Sequence, residues 1–359
     1  MSADAAGLRP DYAARRSALR SLLVENEIDG LLVTDLVNIR YLTGFTGSNA
    51  ALLVSSWDAH GAEDRTVIST DGRYRTQVAE QVPDLHADIV RACARRVVEL
   101  AGEWQLGRVG YESHVVTVDE HRGFEELSTG LELVATPGLV EQLRMVKDAY
   151  EVDRLRAACA VGDAALATLL DRGALRPGRT ERQVARDLEW AMFEHGGEAV
   201  AFETIVAAGA NSAVPHHRPT DAVLATGDFV KLDFGAVVGG YHSDMTRTLV
   251  LGRPADWQRE VYELVREAQR AGREALGPGG AGAGVGGGGP GGQRPPGGRA
   301  GVGGGDGDSA CGRPRRRGRR PHPAAGRAGG DTRGSGVAGV AVARSASARA
   351  RARCRWGGA

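Results

Sequence analysis

Two carboxylates and a pair of adjacent histidines are the side chains of this sequence whose types and spacing suggest joint chemistry. Asp233 lies in the run Phe-Val-Lys-Leu-Asp-Phe at 229–234, and Asp244 lies in Tyr-His-Ser-Asp-Met at 241–245. Both runs read as strands, with Val237-Val238-Gly239-Gly240 joining them into a β-hairpin. A turn centred on Val238 and Gly239 sets Asp233 directly opposite Asp244, on one face, with Cβ atoms about 5 Å apart. Two like charges so close repel, and one is pushed toward its protonated form unless a cation lies between them. A pair of divalent ions about 3.5–4 Å apart, bridged by carboxylates and activating a water, is one resolution. Two solvated aspartates on an exposed hairpin are the other. His216 and His217 precede the first arm, in Gly-Ala-Asn-Ser-Ala-Val-Pro-His-His-Arg-Pro-Thr-Asp at 209–221. A histidine there can orient a substrate or stabilise a developing oxyanion, or be a solvated loop residue. His242 is read as facing away from Asp244 and is set aside.

The elements that must position these groups fall into two patterns. Up to about residue 135, helical and strand signals alternate. Tyr12–Asn26 carries Leu19, Leu22 and Leu23 at helical spacing, 31–34, 50–55 and 66–69 read as strands, and 74–81 reads as a helix. Strands alternating with helices predict an α/β layer domain. A long helical stretch is expected over 140–172, with Asp148 and Glu151 as a capping box. A second helix starts at the Thr180–Gln183 box and stops near Gly196. Strands then dominate from Glu203, and a further helix begins near Val261.

Composition changes abruptly after Leu276. The last 83 residues hold 28 Gly, 15 Ala, 15 Arg and 7 Pro, and no Leu, Ile, Met, Phe, Tyr, Lys, Glu or Asn. Such a segment cannot bury enough apolar surface to offset the entropy of ordering it, so it is expected to be disordered. Its 15 Arg and 3 Asp carry +12, against 30 basic and 42 acidic residues before it, or −12. The formal neutrality of the chain is therefore a cancellation. Gly, Ala, Arg and Pro are the residues that GC-rich codons give out of frame, and the sequence before residue 277 stops within a helical pattern. A frameshift near codon 277 explains both, and another frame of the coding DNA should then encode an ordinary domain there. The rival account is a genuine Gly/Arg-rich segment that binds nucleic acid. Gly282, Gly284 and Gly287 match a G-x-G-x-x-G only by chance, because no strand precedes them. Cys93, Cys159, Cys311 and Cys354 form no paired motif, which fits a reducing compartment. No signal peptide and no membrane-spanning run is read, so a cytoplasmic protein is expected.

Several of these stretches carry a family likeness. LVNIRYLTGFTGSNAALLV and TDGRYRTQ resemble the creatinase-type N-terminal domain of aminopeptidase P and prolidase. RMVKDAYEVDRLRAACAVGDAAL resembles the helix that opens their catalytic domain, and GDFVKLDFGAVVGGYHSDMTRTLVLG their active-site signature. The likeness implies three parts. These are an α/β creatinase-type domain at 1–140, an incomplete α+β pita-bread peptidase domain at 141–276, and a low-complexity disordered tail at 277–359. It further implies a metallopeptidase that cuts the bond before proline in small peptides, holds two divalent ions (Mn²⁺ or Co²⁺), and often forms homodimers. Asp233 and Asp244 match the first two metal-binding aspartates, and His216 the substrate-side histidine. The family's remaining histidine and two glutamate ligands have no counterpart here. After Glu274 the sequence has no Glu, and its only His is His322. Two carboxylates alone hold a divalent ion weakly, so the chain is expected to be inactive and poorly folded beyond its first domain, with open sheet edges. A creatinase-like C–N hydrolase working without metal, and a non-catalytic binding protein with a nucleic-acid-binding tail, are the alternatives.

Overall fold

The computed structural model describes residues 8–57 and 62–276. They divide between Leu155 and Arg156 into two compact units. The first contains, in order, α1 (Tyr12–Glu25), β1 (Gly30–Val33), α2 (Leu36–Thr43), β2 (Ala50–Ser55), β3 (Thr66–Thr70), α3 (Arg75–Gln81), β4 (His86–Ile89), α4 (Cys93–Glu103), β5 (Arg108–Tyr111), α5 (Val118–Glu125), β6 (Glu132–Ala135) and α6 (Leu139–Met145). Its six strands form one sheet in the order β4-β3-β2-β1-β5-β6. β1, β2 and β3 pair antiparallel, and β4, β5 and β6 add in parallel. The central strands are apolar on both faces because helices cover both. Leu31, Val33, Leu52, Val54 and Ile68 share one core with Leu19 and Leu23 of α1 and Ile39 and Leu42 of α2. Leu32, Ala51, Leu53, Val67 and Val109 share the other with Val97, Val98 and Ala101 of α4. The expected α/β layer domain is therefore present.

The second unit holds the greater part of α7 (Ala149–Asp171), then α8 (Glu181–Glu194), β7 (Ala199–Val200), β8 (Ile205–Ala208), β9 (Phe229–Phe234), β10 (Ala236–Val238), β11 (Tyr241–His242), β12 (Met245–Val250) and α9 (Asp256–Glu274). The helical stretch expected over 140–172 is two helices, α6 and α7. Asp148 starts the second with the expected capping box: its carboxylate accepts from Glu151 N at 2.8 Å, and Glu151 accepts from Asp148 N at 3.0 Å. The box at Thr180 and Gln183 also forms.

Two antiparallel three-stranded sheets, β12-β9-β8 and β11-β10-β7, follow each other along one hairpin. On β9 and β12 the side chains alternate between faces. Val230, Leu232, Phe234, Met245 and Leu249 join Ala165 and Leu169 of α7 and Val184, Leu188 and Met192 of α8 in one core. Lys231, Asp233, Thr246 and Thr248 occupy the opposite face, where burial is partial or absent. The openness expected for an incomplete domain is thus one-sided, since the face toward α7 and α8 is closed.

The expected disorder of 277–359, the glycine motif at 282–287, Cys311 and Cys354 lie outside the described residues. Cys93 and Cys159 are free thiols. No helix of the described residues is long and apolar enough to cross a membrane.

Candidate active site

The hairpin that carries the two aspartates turns at Gly239-Gly240, not at Val238-Gly239. Val238 pairs with Tyr241, and the two glycines between them have φ of 62° and 80°. Successive positive φ values define the type I′ turn that matches strand twist, and glycine adopts them without steric cost. This shift of the turn moves every pairing. Asp233 faces Thr246, whose hydroxyl donates to Asp233 Oδ1 at 2.9 Å. Continuing the same register puts Asp244 across from Gly235. The expected direct opposition of Asp233 and Asp244 is therefore corrected to a diagonal relation, about 7–8 Å between such positions in a regular ladder. A displacement of two residues preserves the face, because side chains alternate with period two.

The ladder is broken where Asp244 sits. β10 and β11 end one sheet, β9 and β12 begin the other, and Gly235, Ser243 and Asp244 lie between them. Ser243 Oγ accepts from Ala236 N at 3.0 Å, while Ser243 N donates to Ala236 O at 2.9 Å. A Cβ on Gly235 would lie 1.8 Å from Ser243 O. Only glycine permits this approach of the two arms. Burial still alternates through this point, with Ser243 and Met245 buried and Asp244 exposed.

His216 and His217 hang on the long connection between β8 and β9. An open cleft of about 490 Å³ is lined by Asp233, Asp244, His216, His217, Arg218 and Glu203, among others. The structure thus lines one cleft with the two aspartates and His216. His217 lines the same cleft, but its Nε2 lies 2.8 Å from Glu181 Oε2. His242 is not among the residues that line it, and its Nδ1 lies 3.2 Å from Ala201 O. Residues two apart on a strand share a face, so facing away from Asp244 is not what keeps His242 out of the cleft; His242 belongs to β11, whereas Asp244 lies between β11 and β12. Among the described residues, no three His, Cys, Asp or Glu side chains gather closely enough to hold a metal ion.

Glu181 is the residue the sequence reading missed. It is the first residue of α8, fully buried, and its two oxygens accept five hydrogen bonds. Ala208 N and Asn211 Nδ2 donate to Oε1 at 2.8 and 3.0 Å. Thr220 N and Thr220 Oγ1 donate to Oε2 at 3.0 and 2.7 Å, beside His217. Burial pushes this carboxyl's pKa up, but the bonds from Asn211, His217, Ala208 and Thr220 outweigh it and hold the pKa at about 2. Its only local signal was an acidic residue in a first helical turn, which helix capping alone explains.

Comparison with known proteins agrees with this architecture. Residues 15–146 match the creatinase/prolidase N-terminal domain, and residues 153–286 match metallopeptidase family M24. The chain is 35% identical over 265 residues to the uncharacterised peptidase YqhT of Bacillus subtilis, covering 73% of this chain and 72% of that one. It is 30% identical to an Xaa-Pro dipeptidase of Pyrococcus furiosus, again over 265 residues, 74% of this chain and 72% of its relative. A solved Xaa-Pro dipeptidase from Bacillus anthracis superimposes with a TM-score of 0.67 at 35% identity, covering 73% of this chain and 71% of that structure. With its layered N-terminal domain and the aspartate-bearing hairpin of its second unit, the chain belongs to metallopeptidase family M24 and carries the creatinase/prolidase N-terminal domain.

Proposed function

We propose that this chain carries the substrate-facing part of a peptidase site for Xaa-Pro peptides and does not by itself complete a metal centre. The observation that carries this reading is the cleft shared by Asp233, Asp244 and His216, with no third metal-holding side chain gathered there among the described residues. Family membership implies divalent-metal chemistry in general. Among the described residues the donor set does not fit a pair of such ions. Divalent cations of this kind take about six ligands, and two aspartates leave most positions to water. The sequence after Glu274 offers no glutamate, and His322 as its only histidine.

In this reading Asp233 and Asp244 are two metal-binding carboxylates, and His216 is the group that orients the peptide. A small peptide with proline at its second position is the substrate class, supported by the relatives that are Xaa-Pro dipeptidases. Incubation of the purified chain with an Xaa-Pro dipeptide and Mn²⁺ is expected to give no cleavage. Metal analysis after equilibrium dialysis is expected to find well under two equivalents per chain. Cleavage that follows the chain through purification, with two ions bound, would overturn the proposal.

A further inference from the structure

We infer that Glu181 is a positioning residue that sets His216 over the two aspartates by gripping the loop on both sides of it. The inference rests on the reading of His216 as the substrate-side group. The connection from β8 to β9 runs over residues 209–228, long enough to have many conformations if it were not tied down. Glu181 Oε1 holds its beginning through Ala208 N and Asn211. Glu181 Oε2 holds the far side of His216 through His217 and Thr220. A second clamp comes from the sheet: Lys231 Nζ donates to Val214 O at 2.5 Å and Pro215 O at 3.1 Å. His216 is thus flanked by two held residues before it and one after it. Its own ring is exposed and lines the cleft with Asp233 and Asp244.

The chemistry of the anchor argues for this role over simple helix capping. A cap satisfies donors of its own first turn, whereas every side-chain bond of Glu181 goes to another segment. Taking a carboxylate fully out of water is costly unless each lone pair is satisfied. Here both oxygens are saturated by partners that only this loop path brings together. Glutamine has the same shape but one acceptor oxygen, and its amide would face the donors of either Asn211 and Ala208 or His217 and Thr220.

The test uses the full chain and two measurements. Amide hydrogen exchange is followed by peptide, and the His216 ring resonances are recorded by NMR. In Glu181→Gln, exchange over 209–220 is expected to rise at least tenfold while 229–234 and 245–250 stay protected, and the His216 ring resonances are expected to move to the positions of a histidine in a free peptide. If Glu181→Gln does not fold, Thr220→Val, which removes one hydroxyl from a surface residue, is expected to show the same changes at smaller amplitude. Ring resonances that stay in place despite a loosened loop overturn the proposal, as does exchange that rises equally in the strands. Binding of an Xaa-Pro dipeptide to the unmodified chain is scored separately. Its failure removes the substrate role of His216 and leaves the positioning result standing.

Discussion

At the scale of single residues, the site is governed by where carboxylates find donors. Asp233 leans on one hydroxyl beside an open cleft, while Glu181 is buried with both oxygens saturated. The depressed pKa of Glu181, about 2 against an ordinary 4.5, makes it a pH-dependent source of stability. A carboxyl whose folded pKa is lowered stabilises the fold above its unfolded value, and that contribution fades as pH falls toward the folded value. Glu181→Gln is therefore expected to lower stability at pH 7 by on the order of 3 kcal/mol, through unsatisfied buried donors. The deficit relative to the unmodified chain should shrink as pH falls from 4.5 to about 2. Urea midpoints of both chains across that range check it, and a pH-independent difference would contradict the assignment.

At the scale of elements, the hairpin decides the site more than either aspartate does. The Gly239-Gly240 turn sets the register of β10 with β11, and β9 with β12 continues it. The close approach at Gly235 lets the arms break the ladder beside Asp244. Gly235→Ala would drive a methyl into the Ser243 carbonyl. It is expected to cost roughly 3 kcal/mol, at the upper end of what forced overpacking costs, and to disturb the cleft at Asp244. Chemical unfolding measures the first effect, and loss of chemical-shift agreement confined to residues around 235 and 244 reports the second.

At the scale of the whole molecule, the second unit has one face closed by α7 and α8 and another that is not. α9 displays apolar side chains on the surface, with Leu264 71%, Val265 61% and Trp257 58% exposed. Contiguous exposed apolar surface promotes association. Leu264→Lys is accordingly expected to raise the solubility limit and lower light scattering. Its melting temperature should stay within about a degree, since a side chain so exposed contributes under about 0.5 kcal/mol. A clear drop in melting temperature would show that Leu264 is packed in solution.

Much of this was legible in the sequence because it rests on local rules. The capping boxes at Asp148 and Thr180, the alternation in Phe229–Phe234 and the glycines between the two arms each depend on a few neighbouring residues. The face shared by Asp233 and Asp244 followed from period-two alternation, even with the turn misplaced, because an error of two leaves parity intact. What only the tertiary structure decided was which pairs meet across long separations. It set Thr246 rather than Asp244 opposite Asp233. It also converged Ala208, Asn211, His217 and Thr220 on Glu181, 27 to 39 residues away from it in the chain. Those contacts follow from how α8 packs against the sheet, and no local pattern of residues encodes a distance between chain segments.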